Sequence, residues 1–427
     1  MSRPSRLVQQ SARTAVWAVV GVACSLLSGI ATARMLGASD RGTLAVALTV
    51  VGLLSLIGAL GSNVAFRMLL PSDGRVTIAA FGRLTTKLAL PNVAALLILM
   101  VVFSHRVDRQ LSDPVILVCV AVLGVTMFFS NQVLDCFNAL HQSHRAARLN
   151  ALGALSTAIL NLLCWIAGFT LTAALLCYAA GFALRTGIGL ILLHRAPETR
   201  HTEEGPGGQL LMLSAGLPLM GGNLGQLVML RLDQVLVGVL LGSSAAGIYA
   251  VASIPAGVLA VVSSAIGQVV LAEAARGLLS KGALVRLTLQ ASGLTLALAV
   301  TGAALAPWLL PLLFGAEFSD STRTAQVLLF AQVALAPFLI LNRAAVGYGM
   351  VRWSGLTGLA GAVTLIVTVL LLVPQFGVVG AGGAATLTFA VATTVTAVGL
   401  AVRRPWAHGS EHQRARGREE SAPPATM

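Results

Sequence analysis

The sequence predicts an all-α integral membrane protein of about 12 transmembrane helices, built as two six-helix lobes related by a parallel pseudo-two-fold repeat. Three observations carry this prediction. Of the 427 residues 56% are hydrophobic and only 10% charged, with a mean hydropathy of +0.87, whereas soluble proteins carry roughly 25% charged residues. Apolar stretches longer than about 18 residues recur from end to end, each long enough to cross a bilayer. One turn is also written twice: L-G-A-S-D-R-G-T-L-A-V-A at 36–47 and L-G-S-S-A-A-G-I-Y-A-V-A at 241–252 share seven of twelve positions at an offset of 205 residues.

The apolar pattern places the first six spans at about 14–36, 43–66, 78–103, 114–137, 149–167 and 171–194. The second six fall at about 211–241, 246–273, 284–310, 324–345, 354–373 and 378–402. Span seven is too long for one straight crossing and contains Pro218, Gly221 and Gly222, so a kink or break is expected there. Residues 1–195 and 211–402 form the two lobes. The polar stretch 196–210 reads as a flexible cytoplasmic linker, and the basic tail 403–427 as disordered. Arg3, Arg6 and Arg13 before an apolar run ending A-T-A mimic a signal peptide, but the run 15–33 exceeds the usual apolar core of about 7–15 residues. The repeat also requires this segment as its first helix, so a retained helix is the reading adopted.

Basic residues set the orientation. With the N-terminus inside, 21 Lys and Arg fall on inner segments and 5 (Arg34, Arg41, Arg106, Arg109, Arg323) on outer ones, leaving Arg185 and Arg231 in the membrane. Both termini are therefore expected in the cytoplasm, and the net charge of +13 marks inner loops, not a nucleic-acid surface. The five cysteines lie in or beside apolar runs, with neither a disulfide framework nor zinc spacing. No catalytic group, metal site or cofactor is read from the chain, and G-x-x-x-x-G-K-[ST] does not occur, so ATP is not the direct drive. Movement must draw on an H⁺ or Na⁺ gradient, the membrane potential, or mass action.

The repeated turn has a physical reading. Gly37 and Gly242 suit the left-handed position that ends a helix, and Ser39 and Ser244 are expected to N-cap the next one. Gly42 and Gly247 let helices approach closely. An even number of spans separates the copies, so both turns face the same side and the repeat is parallel.

At these residues the chain resembles the Wzx-type polysaccharide and oligosaccharide flippases of the multidrug/oligosaccharidyl-lipid/polysaccharide exporter superfamily. The resemblance is carried by A-R-M-L-G-A-S-D-R-G at 33–42, R-L-D-Q-V-L-V-G-V-L-L-G-S-S-A-A-G-I-Y at 231–249, L-P-L-L-F-G-A-E-F at 310–318 and V-P-Q-F-G-V-V-G-A-G-G-A-A at 373–385. It implies a central cavity between the lobes that opens alternately to each side of the cell (plasma or inner) membrane. The implied cargo is a polyprenyl-diphosphate-linked oligosaccharide for cell-surface polysaccharide assembly, with polymerase or glycosyltransferase proteins and membrane lipid as partners.

Ionisable groups at bilayer depth are functional candidates. Arg231 lies about 15 Å and Asp233 about 12 Å from the outer turn, and Arg185 about 14 Å from the inner surface. Arg231 and Arg185, one in each lobe, suit bidentate binding of a diphosphate. Asp233 would balance Arg231 or take up a coupling proton, while a helix-packing pair is the competing reading. Arg67 and Arg343, near the inner ends of spans two and ten, fit either the cytoplasmic mouth of the pathway or snorkelling stems. Asp135 fits coupling or simple contact with water. Arg34 and Asp40, with Arg41, sit at the outer rim, where a gate contact between lobes competes with helix capping. A drug or small-cation exporter is the alternative function; it would require carboxylates in the cavity. An enzyme is disfavoured because the longest outer loops, near 105 and 318, span only about a dozen residues.

Overall fold

A computed structural model of the chain describes residues 3–70, 75–168, 170–195 and 207–403. The helices are α1 (Arg3–Ile57), α2 (Ser62–Leu69), α3 (Ile78–Ser104), α4 (Pro114–Ala139), α5 (Ser143–Ala167) and α6 (Leu171–His194) in the first half. They are followed by α7 (Gly208–Leu241), α8 (Ser243–Ala275), α9 (Lys281–Phe314), α10 (Ser321–Gly347) and α11 (Val351–Arg403). Ten of these are long and apolar enough to cross a membrane, which makes this a multi-pass membrane protein. Most of the expected linker, 196–206, and the tail beyond 403 lie outside the described residues.

Ten helices carry twelve crossings because two of them are hairpins. Helix α11 has 53 residues, about 80 Å of rise against a core of about 30 Å. It reverses at Gly377, whose φ of 61° and ψ of −143° are not helical. The limbs then pack side by side, with Trp353 Nε1 donating to the Val395 carbonyl at 3.1 Å. Helix α1 has the same break at Gly37, φ 67° and ψ 179°. Its repeat partner Gly242 has φ 88° and ψ 178°. The two turns therefore share one backbone conformation, in the extended positive-φ region open essentially to glycine, and not the left-handed helical one expected.

The two copies also touch each other. A Cβ on Gly42 would lie 1.7 Å from the Ser243 carbonyl oxygen, and one on Gly247 would lie 2.0 Å from that of Ala38. Only glycine allows this crossing of α1 on α8. Neither Ser39 nor Ser244 is the expected N-cap: Gly242 precedes α8 without a side-chain cap bond, and Ser39 Oγ pairs with Ser243 Oγ across the lobes at 2.9 Å. The exposed helix starts are capped from the opposite lobe instead. Ser243 N–H donates to the Val107 carbonyl of the α3–α4 loop at 3.1 Å, and the equivalent Ala38 N–H donates to the Glu317 carboxylate of the α9–α10 loop. Arg34 completes the contact, its Nε donating to the Leu313 carbonyl at 2.8 Å and a second donor to Leu312, the last carbonyls of α9. These interactions close the lobes on the Gly37 face.

The lobes differ at the opposite face. Span two is not one helix over 43–66: α1 ends at Ile57, and α2 begins after Leu60 (φ 50°) and Gly61 (φ 70°). Asn92 of α3 packs at the break, donating to the Leu54 carbonyl at 2.6 Å beside the Gly58 N–H and occupying the space next to Gly58. In the second lobe, α8 runs unbroken from Ser243 to Ala275. Nor does span seven break, since α7 stays helical through Pro218. Its first half leans on the first lobe, where Gly216 meets the backbone of Gly61.

Because the Gly42–Gly247 crossing has no room for a side chain, Gly42→Leu should weaken the interlobe contact by about 3 kcal/mol. With cysteines at Ser39 and Ser243 and a protease site placed in 196–206, mild oxidation in membranes should hold the cut halves together. Adding Gly42→Leu should release them; equal cross-linking with and without it would contradict the crossing.

Candidate functional site: a basic cavity between the lobes

Below the crossing, α1, α2, α4, α7 and α8 line an open cavity of about 590 Å³. Its charged lining is Arg41, Arg67, Arg231 and Asp135, with Thr49, Asn63, Asn131, Asn138, Gln234 and Ser253 as neutral polar groups. A second cavity of about 340 Å³ shares the Leu56, Asn63, Arg67 and Leu227 wall and adds Arg343 and Gln226. Together they form a path bordered by four arginines and one aspartate.

The sequence candidates fall into three groups. Arg231, Arg67 and Arg343 line the path. Arg231 makes no ion pair or hydrogen bond among the described residues. The stem of Arg343 is accommodated by Gly267, where a Cβ would lie 3.1 Å from Arg343 Cγ. Arg67 of α2 forms an ion pair with Asp135 of α4, which also accepts from Asn63 Nδ2 at 3.0 Å. Asp135 is thus buried and doubly bonded, and does not reach water as a loop-end carboxylate would.

Arg185 and Asp233 form the second group, and both turn away from the space. Arg185 is buried in the first lobe, donating to Ser130 Oγ, to Asn150 Oδ1 at 2.5 Å and to Asn131 Oδ1 at 3.2 Å. Its donors are directed to neutral side chains, so the expected pairing of Arg185 with Arg231 across one space does not form. It reaches the cavity only through Asn131. The Asp233 carboxylate accepts from Tyr249 Oη and from the Gln234 N–H at 2.8 Å. Gln234 in turn accepts from Thr49 Oγ1 at 3.1 Å, a bond between lobes. Arg231 and Asp233 make no ion pair, consistent with a separation of two residues on a helix.

The rim residues make up the third group. Arg34 does contact the other lobe. Asp40 does not: it accepts from Gln110 Nε2 at 3.2 Å within its own lobe. Arg41, expected at the outer rim, is instead 7% exposed and lines the cavity. Sequence reasoning missed this and also missed Glu317. Both signals were in the repeat: Arg41 stands where the second copy has Ala246, and Glu317 follows the glycine that ends α9.

Among the described residues no group of three or more His, Cys, Asp or Glu side chains converges on a common point. The arrangement instead presents cations to an open cavity within an apolar protein, which suits an anionic ligand.

Residues 11–272 match the family described as polysaccharide biosynthesis protein. The chain belongs to that family. No curated protein matches its sequence. Among solved structures the fold is shared with the lipid II flippase MurJ in an inward closed conformation, at 12% identity and a TM-score of 0.71, over 94% of this chain and 90% of that one. It is likewise similar to a multidrug resistance MATE family transporter of the MOP superfamily in its inward-facing conformation, at 14% identity and a TM-score of 0.70, over 95% and 100%. A MOP superfamily transporter from Pyrococcus furiosus, described by the reverse polarity of its binding pocket, matches at 14% identity and a TM-score of 0.65 over 92% and 95%. This polysaccharide biosynthesis family member therefore has the fold of the MOP-superfamily transporters and flippases.

Its two mid-membrane arginines should separate on mutation. Arg185→Met strands three polar side chains and should lower the melting temperature in detergent, at a cost of about 3 kcal/mol. Arg231→Met removes a guanidinium with no partner and should leave the melting temperature within a degree or two. Equal destabilisation by both would contradict the assignment of Arg185 to the scaffold.

Proposed function

We propose that this protein moves a polyprenyl-diphosphate-linked oligosaccharide from the inner to the outer leaflet of the cell membrane by alternating access. The observation that carries the reading is the charge of the cavity wall: Arg41, Arg67, Arg231 and Arg343 against a single carboxylate, Asp135, itself held by Arg67 and Asn63. The family match to polysaccharide biosynthesis proteins supports a glycan-bearing cargo. A diphosphate diester carries two negative charges and accepts bidentate hydrogen bonds from guanidinium groups.

The excess of basic residues on one side, 21 to 5 by sequence and 21 to 4 once Arg41 is assigned to the cavity, supports cytoplasmic termini and an outward Gly37 face. The lobes are then closed on the outside. Arg67 and Arg343 meet the diphosphate nearer the cytoplasm, and Arg231 holds it at mid-depth. Asp135 and Asp233 are the groups through which an ion gradient would couple. Polymerase or glycosyltransferase proteins would supply and consume the cargo on the two sides.

Export of a cationic drug is the second reading, favoured by the shared fold with the multidrug transporter. It would require a carboxylate facing the cavity. Asp233 is turned to Tyr249 and Asp135 is ion-paired.

Arg231→Ala should keep the protein in the membrane while lowering outer-leaflet lipid-linked glycan about tenfold or more. The corresponding intermediate should accumulate inside, as read by lipid extraction and leaflet-specific labelling. Normal glycan export together with lost resistance to a lipophilic cation would favour the drug exporter.

A further inference from the structure

We propose that Arg41, at the closed end of the cavity, and Arg231, at mid-depth, form a two-lobe anion station, where the diphosphate of a lipid is held until the lobes part. This rests on the flippase reading and adds a residue and a release step to it. Arg41 is 7% exposed. Its Nε is buried without a hydrogen-bond partner, and no ion pair or hydrogen bond reaches its guanidinium among the described residues. A buried charge left this way is costly unless something else neutralises it. Three other ionisable side chains of the interior are provided for: Arg185 has three neutral acceptors, Asp135 has Arg67 and Asn63, and Asp233 has Tyr249. Arg41 instead borders the cavity that Arg231 borders from the other lobe.

The charge matches the ligand. Among the described residues the one carboxylate on the lining of this space is Asp135, already paired with Arg67. Two guanidiniums without partners therefore face it, equal to the two charges of a diphosphate diester. Thr49, Gln234 and Ser253 on the same wall add neutral polar contacts.

The position gives a route to release. Arg41 immediately precedes Gly42, the residue at the crossing on α8, so it sits at the closed end of the cavity. Its repeat equivalent, Ala246, is fully buried in an apolar cluster, so the cation stands on one side only. Arg41 belongs to the first lobe and Arg231 to the second. A ligand bound by both bridges the lobes, and parting them at the Gly37 face pulls the two cations apart. Affinity falls as the exit opens, without any change of protonation.

The test uses the full chain in neutral-lipid nanodiscs, with a geranylgeranyl-diphosphate-linked monosaccharide, a diester, as probe and geranylgeraniol and inorganic pyrophosphate as controls. The wild type should bind the diester. Arg41→Gln should weaken binding about tenfold or more, and Arg41→Lys less. Without ligand, the melting temperature of Arg41→Gln should equal or exceed that of the wild type, because an uncompensated buried charge has been removed. A merely structural Arg41 would lower it. Unchanged binding in Arg41→Gln alongside loss in Arg231→Gln would overturn the station while sparing the flippase reading. No binding by the wild type would overturn both. Pyrophosphate binding as tightly as the lipid would overturn the lipid as the ligand source.

Discussion

Two backbones pass each other at Gly42 and Gly247 closer than any side chain permits, and the architecture is organised around that crossing. Each lobe contributes one copy of the same turn, so the contact is nearly self-complementary, as a two-fold interface must be. The reversals at Gly37 and Gly242 leave the start of a helix with bare N–H groups. Each start is satisfied from the other lobe, Ala38 by the Glu317 carboxylate and Ser243 by the Val107 carbonyl. Parting the lobes at this face must expose both helix starts at once.

The crossing also decides what the cavity is. It brings α1 and α7 to the two sides of one cavity, with α8 completing its wall. Charges in such a space are retained only if paired or if they serve a ligand. Both outcomes occur here. Asp135, Asp233 and Arg185 are folded into bonds with neighbours, whereas Arg41 and Arg231 are left to the cavity. The difference gives the interior a positive sign that the net charge of the chain alone does not explain.

Most of the architecture was legible because the bilayer restricts it severely. Twelve apolar runs, the duplicated turn and its glycines led to hairpins, a parallel repeat and a close crossing, all of which the fold contains. What escaped is how helices rotate against their neighbours. Arg41 lies only four residues from the turn, so counting rise placed it at the rim, while packing of α1 on α8 turns its side chain inward. Arg185 had the right depth, but Ser130, Asn131 and Asn150 come from two other helices and cannot be seen as its partners along the chain. At the break before α2, Asn92 reaches in from α3, again a contact without a local signature. The serines of the turn looked like caps because the partners that replace them, Glu317 and Val107, are far away in sequence.

The central claim is that the cavity selects an anionic lipid. Proteoliposomes holding the purified chain, offered both a prenyl-diphosphate-linked disaccharide and a lipophilic cation, test it most directly. The account predicts that the diphosphate-linked glycan changes leaflet, as read by accessibility of its sugar to an external lectin, and that the cation does not move. Transport of the cation with the glycan left in place would contradict it.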